Sequence, residues 1–246
     1  MIDQLKAKSA YDAYLEKARN DDRIIGVILG GGRGKGAASE NSDYDVILVT
    51  TDAGFEGVKN DYPKTEYIDS LPHSLSGFRE HAKIGSTTQY DKYTFAHNKA
   101  IIDKTGEIQK LIDEKGTLDP TDARKIASTA LGGYLNQIHR SLKNLRDGNE
   151  LAGRLDANES IPLLLQFVFA VENKVCPYNK FLVWELTNYP LEKLPISSDN
   201  LITKIQSIIQ RADFETQKEL LAVIRKLALE NGFNAEIEDW NGYYFG

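Results

Sequence analysis

Between Gly30 and Val49 the chain reads GGGRGKGAASENSDYDVILV. Two aspartates, Asp43 and Asp45, stand one residue apart at the head of an apolar, β-branched run. Side chains at i and i+2 of a strand project to the same face. The two carboxylates are therefore expected side by side at one end of a buried strand. Like charges that close are costly without a compensating cation. Oxygen donors of this kind suit a hard divalent cation, Mg²⁺ where phosphates are also bound. The glycines upstream let backbone N–H groups approach an anion closely, and Arg33 and Lys35 add positive charge. Strand, glycine turn and Asp-x-Asp strand together make a site for Mg²⁺ and a triphosphate. Either half alone reads more readily as local structure, a glycine turn or a loop aspartate beside Ser42. Their order, between two strands, is what favours a site.

Other chemistries are poorly served. The spacing from Gly30 to Lys35 does not fit a P-loop, and Gly32, Gly34 and Gly36 do not make G-x-G-x-x-G. Neither H-E-x-x-H nor G-x-S-x-G occurs. The four histidines, His73, His81, His97 and His139, show no ligand spacing. The single cysteine, Cys176, permits no intramolecular disulfide and no Cys-rich zinc site, which fits a reducing, cytoplasmic setting. A net charge of -6 argues against duplex nucleic acid as partner. The charged start, MIDQLKAKSAYDAYLEKARNDD, lacks the apolar stretch of a secretory signal. No apolar run approaches the length of a membrane span, so no membrane partner is expected.

The elements that must hold the aspartates follow from periodicity. An apolar stripe predicts a helix over 3–19. IIGVIL, ending at glycines, and YDVILVT, from Tyr44 to Thr50, read as buried strands. TEYID, 65–69, is a third strand, and 99–103 a fourth that ends at the DKTG turn. Short helices are expected over 74–83, 86–96 and 107–114. From Pro120 the pattern is helical, with a long helix closing at Gly148, another over 155–174, a short one at FLVWEL, and two more near 197–210 and 214–231. The expectation is an α+β chain: a mixed-sheet N-terminal domain, 1–118, and an all-helical C-terminal domain, 119–246.

Gly-Gly, the variable position 32, Arg33 and Ser-Asp-Tyr-Asp on a strand resemble the signature of the nucleotidyltransferase superfamily that includes DNA polymerase beta. The chain is most similar to its small bacterial members, such as the aminoglycoside and lincosamide nucleotidyltransferases. Gly31 to Val46 carries the likeness. EYIDS, FAHNKAIIDKTGEI and FVFAVENKVCPYNKFLVWEL extend it over roughly residues 24–190. One position departs: Gly32 stands where the family usually has Ser, so a hydroxyl contact to the triphosphate is lost. The resemblance implies a nucleotidyltransferase-type fold. It also implies transfer of a nucleoside monophosphate, AMP in the first instance, from ATP or another NTP to a hydroxyl. Two Mg²⁺ ions about 4 Å apart would clamp the attacking and leaving oxygens. Gly31, Gly32, Arg33 and Ser42 would then face the nucleotide, with Asp43 and Asp45 as metal ligands.

Such a site needs a third carboxylate, as metal ligand or as base for the acceptor hydroxyl. Asp69, ending TEYID, is the first choice. Glu66, expected on the other side of the same strand, is the reserve, and Asp91 the third. Asp103 belongs to its turn. In the resembled proteins the region of Tyr178 and Lys180 lines a cleft. That implies a base stacked on Tyr178 and a triphosphate met by Lys180, against the plain reading of a packing tyrosine and a solvated lysine. Three functions remain open: transfer to a small hydroxylated molecule, transfer to a protein side chain, and a catalytically degenerate relative that binds a nucleotide or a partner. The long helical domain favours the first, and Gly32 the last.

Overall fold

The structure is a computed structural model that describes residues 3–243. The chain divides into two compact units, Met1–Thr117 and Leu118–Gly246. The fold is α+β, with a mixed sheet in the first unit and helices throughout the second.

The first unit is built on β1 (Ile24–Leu29), β2 (Tyr44–Thr50), β3 (Ile68–Ser74) and β4 (Ala100–Asp103). Among the described residues these form one sheet in the order β3-β2-β1-β4. β1 runs antiparallel to β2 and β4, and β2 parallel to β3. A strand buried on both faces reads as a near-continuous apolar run, and the two central strands do, apart from Asp45 and Thr50 of β2. One face packs Val27, Tyr44, Val46 and Leu48 against helix α1 (Gln4–Arg19), and against Val58 of the helix α3 (Phe55–Asp61) that crosses from β2 to β3. Between these two helices in sequence lies the single helical turn α2 (Gly31–Gly34). The other face packs Ile28, Ile47 and Val49 against α4 (Leu75–Glu80), α5 (Lys92–Phe95) and α6 (Ile108–Lys115). Asp3 caps α1 by accepting from the Lys6 N–H, and Ser74 caps α4 through Gly77.

Two of the differences from the periodicity reading bear on candidate residues. β3 begins at Ile68, three residues later than expected, and runs on to Ser74. The Thr65 hydroxyl accepts from the N–H groups of Tyr67 and Ile68, which bends 65–67 into a turn. Glu66 is thus an exposed turn residue before the strand. Pro72 is accommodated because β3 is an outer strand. The helix expected over 86–96 shrinks to a 3₁₀ turn at 89–91 followed by α5. Thr88 and Gln89 side chains accept from the Ala82 and Gly85 N–H groups, and such local bonds compete with a helix.

In the second unit, Asp119 caps α7 (Pro120–Arg146), with proline at the first turn where its missing N–H costs nothing. α8 (Glu150–Ala170) returns alongside and starts earlier than expected, with Pro162 exposed in its interior. The two approach closely: a methyl on Gly153 would lie 2.6 Å from Leu145 Cγ, and the Ser141 hydroxyl donates to the Gly153 carbonyl at 2.8 Å. α9 (Leu182–Asn188), α10 (Ser198–Arg211), α11 (Phe214–Glu230) and α12 (Asn234–Glu238) complete it. Ser197 and Asp213 cap α10 and α11. Among the described residues no helix is long and apolar enough to cross a membrane.

Against the α4–α6 side of the sheet sits a group of titratable side chains. His73 of β3 and His81 have ring centroids 4.6 Å apart, and His81 Nε2 lies 3.4 Å from Asp91 Oδ2. The Lys115 ammonium donates to the carbonyls of Arg79 and His81 and is held down to about 8 by burial. Burial first, then the neighbouring His81, brings His73 down from 6.5 to about 4. An unfolded His73 therefore takes up a proton, as pH falls below about 6.5, that the folded chain refuses. Stability should drop between about pH 6.5 and pH 4, by at most about 3 kcal/mol from this residue, and level off below. Denaturant unfolding of wild type and His73→Gln across that window tests it. The variant should show a visibly shallower decline; identical slopes would remove His73 from the account.

Candidate functional site

The site begins where β1 ends. The Gly30 N–H donates to the Asp45 carbonyl at 2.7 Å, closing the β1–β2 ladder. The chain then turns through Gly31 at φ +56°, a left-handed conformation that glycine adopts without strain. A second constraint is harder. A methyl on Gly31 would lie 1.8 Å from Asp45 Oδ2 and 2.8 Å from its Cγ. The Asp45 carboxylate occupies the space a side chain at position 31 would need. Gly34 N–H bonds back to the Gly30 carbonyl at 2.8 Å and Ala37 N–H to that of Gly32 at 2.7 Å, which makes the compact turn α2.

Gly32 is buried, and a methyl there would meet the Ala37 carbonyl at 3.2 Å. The polar side chains of the loop bond to the loop itself and to neighbouring segments. The Arg33 guanidinium donates to the carbonyls of Asp43 at 2.9 Å and Ser42 at 2.7 Å and to the Gln4 side chain. It also stacks 3.9 Å above the Tyr44 ring, which stacks in turn on Tyr11. Lys35 is buried and donates to the carbonyls of Tyr93 and Ala96. The Ser42 hydroxyl accepts from the Ser39 N–H at 2.9 Å. Arg33 and Ser42, expected to face a nucleotide, are placed as struts that fix Asp43 and the start of β2.

Asp45 and Asp69 are partners in the parallel β2–β3 register. In-register neighbours on adjacent strands lie roughly 4.8 Å apart and share a face. Asp43 sits two residues before Asp45, just ahead of the strand. The three expected carboxylates thus come to one end of the sheet, two of them directly abreast. Asp69 is paired with Lys64 at 3.0 Å, with the lysine side chain 66% exposed. A partly solvated pair of this kind is worth about 0–1 kcal/mol and gives way easily. The donors are all oxygens, as a hard divalent cation prefers. Yet among the described residues no group of three or more His, Cys, Asp or Glu is arranged to hold a metal ion. The donor types fit such an ion; the third ligand, Asp69, is turned to Lys64.

Glu66 lies in the exposed turn before β3, and Asp91 is paired with His81. Tyr178 is half-buried and Lys180 exposed, with its ammonium 5.3 Å from the Phe181 ring centre; both belong to the second unit. Cys176 is a half-buried thiol pushed up to about 12 by desolvation, unsuited to act as a nucleophile. Lys64 was missed in the sequence, and so was the His73–His81–Asp91 group. His73 lies four residues beyond Asp69, hence on the same face of β3, but its partners come from distant segments that no spacing connects.

No protein-family model matches the chain, and no curated protein matches it. Among solved structures it is similar to a nucleotidyltransferase-like protein from Exiguobacterium sibiricum 255-15. The likeness has 10% sequence identity and a TM-score of 0.44, and covers 92% of this chain and 75% of that one.

The Gly31–Asp45 contact is directly testable. Gly31→Ala should cost about 2–4 kcal/mol, from the left-handed backbone and the collision together. In an Asp45→Ala background the cost should fall by about 1 kcal/mol or more, because the colliding oxygen is gone. Equal costs in both backgrounds would show that the carboxylate is not what excludes a side chain at position 31.

Proposed function

We propose that the chain transfers a nucleoside monophosphate, AMP in the first instance, from an NTP to a hydroxyl of a small molecule and releases pyrophosphate. The observation that carries this is the in-register pair Asp45 and Asp69, with Asp43 two residues upstream, beside a glycine turn that closes on Asp45 itself. Sheet, turn and carboxylates stand in the order that the Gly31–Val46 motif resembles.

Asp43 and Asp45 would hold a divalent cation, which when bound neutralises triphosphate charge. The first N–H groups of a helical turn have no intrahelical acceptor, and those at the start of α2 would receive the phosphates. Asp69, released from Lys64, would take the proton of the acceptor hydroxyl as its oxygen bonds to the α-phosphorus. The bond from the α-phosphorus to the bridging oxygen breaks, and that oxygen leaves with pyrophosphate. Positioning and charge would do most of the work. The helical second unit supports a small acceptor over a protein side chain. A second reading, a non-catalytic relative that binds a nucleotide or a partner, is favoured by one specific observation: Arg33 and Ser42 bond to the loop and Lys35 to the Tyr93 and Ala96 carbonyls.

Thermal unfolding with each of the four NTPs, with and without Mg²⁺, separates the two. A nucleotide at about 100 times its dissociation constant adds about 2.7 kcal/mol. The transfer reading expects a Mg²⁺-dependent rise in Tm for one nucleotide, absent in Asp43→Asn/Asp45→Asn. Pyrophosphate release should then follow when that nucleotide meets a mixture of small hydroxylated acceptors. Nucleotide binding that survives the double substitution, or that never yields pyrophosphate, supports the non-catalytic reading.

A further inference from the structure

Along the free edge of β3 lies an open hollow of about 430 Å³. β3 forms one wall; α3 and the segment after it form the other. Its lining has two characters. Phe55, Tyr62 and Leu71 are apolar or aromatic, while Lys59, Lys64 and His73 bring nitrogen donors, and no lining residue is acidic. That is a cationic hollow on a chain of net charge -6. The two lysines are differently placed. Lys64 pairs with Asp69 at the end of the hollow. Lys59 is exposed and, among the described residues, its side chain makes no hydrogen bond or ion pair. An ammonium over an uncompensated concavity raises the local concentration of anions.

We infer that this cavity binds a small organic anion, its carboxylate or phosphate head held by Lys59 and Lys64 and its apolar body resting on Phe55 and Leu71. The inference does not depend on the transfer reading, although both call on Lys64, which pairs with Asp69. His73 reports on it, because it is a lining residue whose imidazole meets His81, with Asp91 and Lys115 nearby. An anion beside Lys59 and Lys64 favours the protonated imidazole, so His73 should titrate at higher pH when the cavity is filled.

The experiment is an NMR titration of the full chain, free of nucleotide and divalent cation, with phenylacetate, phenyl phosphate and the uncharged benzyl alcohol as probes. One of the two anions should saturate and move the amides of Leu71 and His73 and the His73 imidazole. The tighter of them names the head group. Benzyl alcohol should bind at least about tenfold more weakly, and Lys59→Met and Lys64→Met should each weaken the anion by about tenfold. Both lysines are exposed, so the variants should unfold like wild type. Failure of either anion to saturate at tens of millimolar overturns the inference. So would undiminished binding in the Lys59→Met/Lys64→Met double variant, or equal binding of benzyl alcohol. None of these results bears on whether Asp43 and Asp45 bind an NTP.

Discussion

The Asp45 carboxylate fills the space where a side chain at position 31 would stand, and the rest of the candidate site is arranged around that contact. It requires glycine at 31 on steric grounds, and the positive φ there requires it again on conformational ones. Two independent reasons for one residue are what make the turn after β1 short. A short turn brings α2 against the start of β2, and the Arg33 guanidinium then reaches the carbonyls of Ser42 and Asp43. Arg33 in turn rests on Tyr44 and Tyr11, which ties the loop to the α1 face of the core. Carboxylate, glycine turn, guanidinium and aromatic stack form one continuous chain of contacts.

Electrostatics accounts for what that arrangement leaves open. Asp45 and Asp69 sit abreast on adjacent strands, with Asp43 nearby. The two cations of the glycine loop donate to backbone carbonyls. Lys64 pairs with Asp69 from an exposed position. A partly solvated pair of that kind gives way easily. Beside the edge of the same strand the sign reverses: Lys59 and Lys64, from α3 and the segment after it, line the hollow with no acidic residue among its lining.

Much of this was legible in the sequence. The β-branched runs at 24–29 and 44–50 could bury themselves only as central strands, and the structure has them there. The i, i+2 spacing of Asp43 and Asp45 at the head of the second run needed no tertiary information. The start of β3 was not legible, because a single Thr65 hydroxyl decides it by capturing two N–H groups. That shift places Asp69 second in its strand, opposite Asp45, and removes Glu66 from the sheet. The work of Arg33 was hidden for a related reason: its acceptors are carbonyls, and a sequence does not show where carbonyls point. His73, His81 and Asp91 are joined only by the fold, each from a different segment. Lys64, five residues before its partner in a turn, belongs to no periodic pattern.

The measurement closest to the central claim is a Mn²⁺ titration followed by electron paramagnetic resonance, on wild type, Asp45→Asn and Lys64→Met. Mn²⁺ takes the same oxygen ligands as Mg²⁺ and reports binding without turnover. If the carboxylates at the β2–β3 end form a cation site restrained by Lys64, wild type binds Mn²⁺ saturably, Asp45→Asn loses that binding, and Lys64→Met binds more tightly. Equal, weak and unsaturable binding by all three would contradict the account and leave the aspartates as ordinary residues of a strand end.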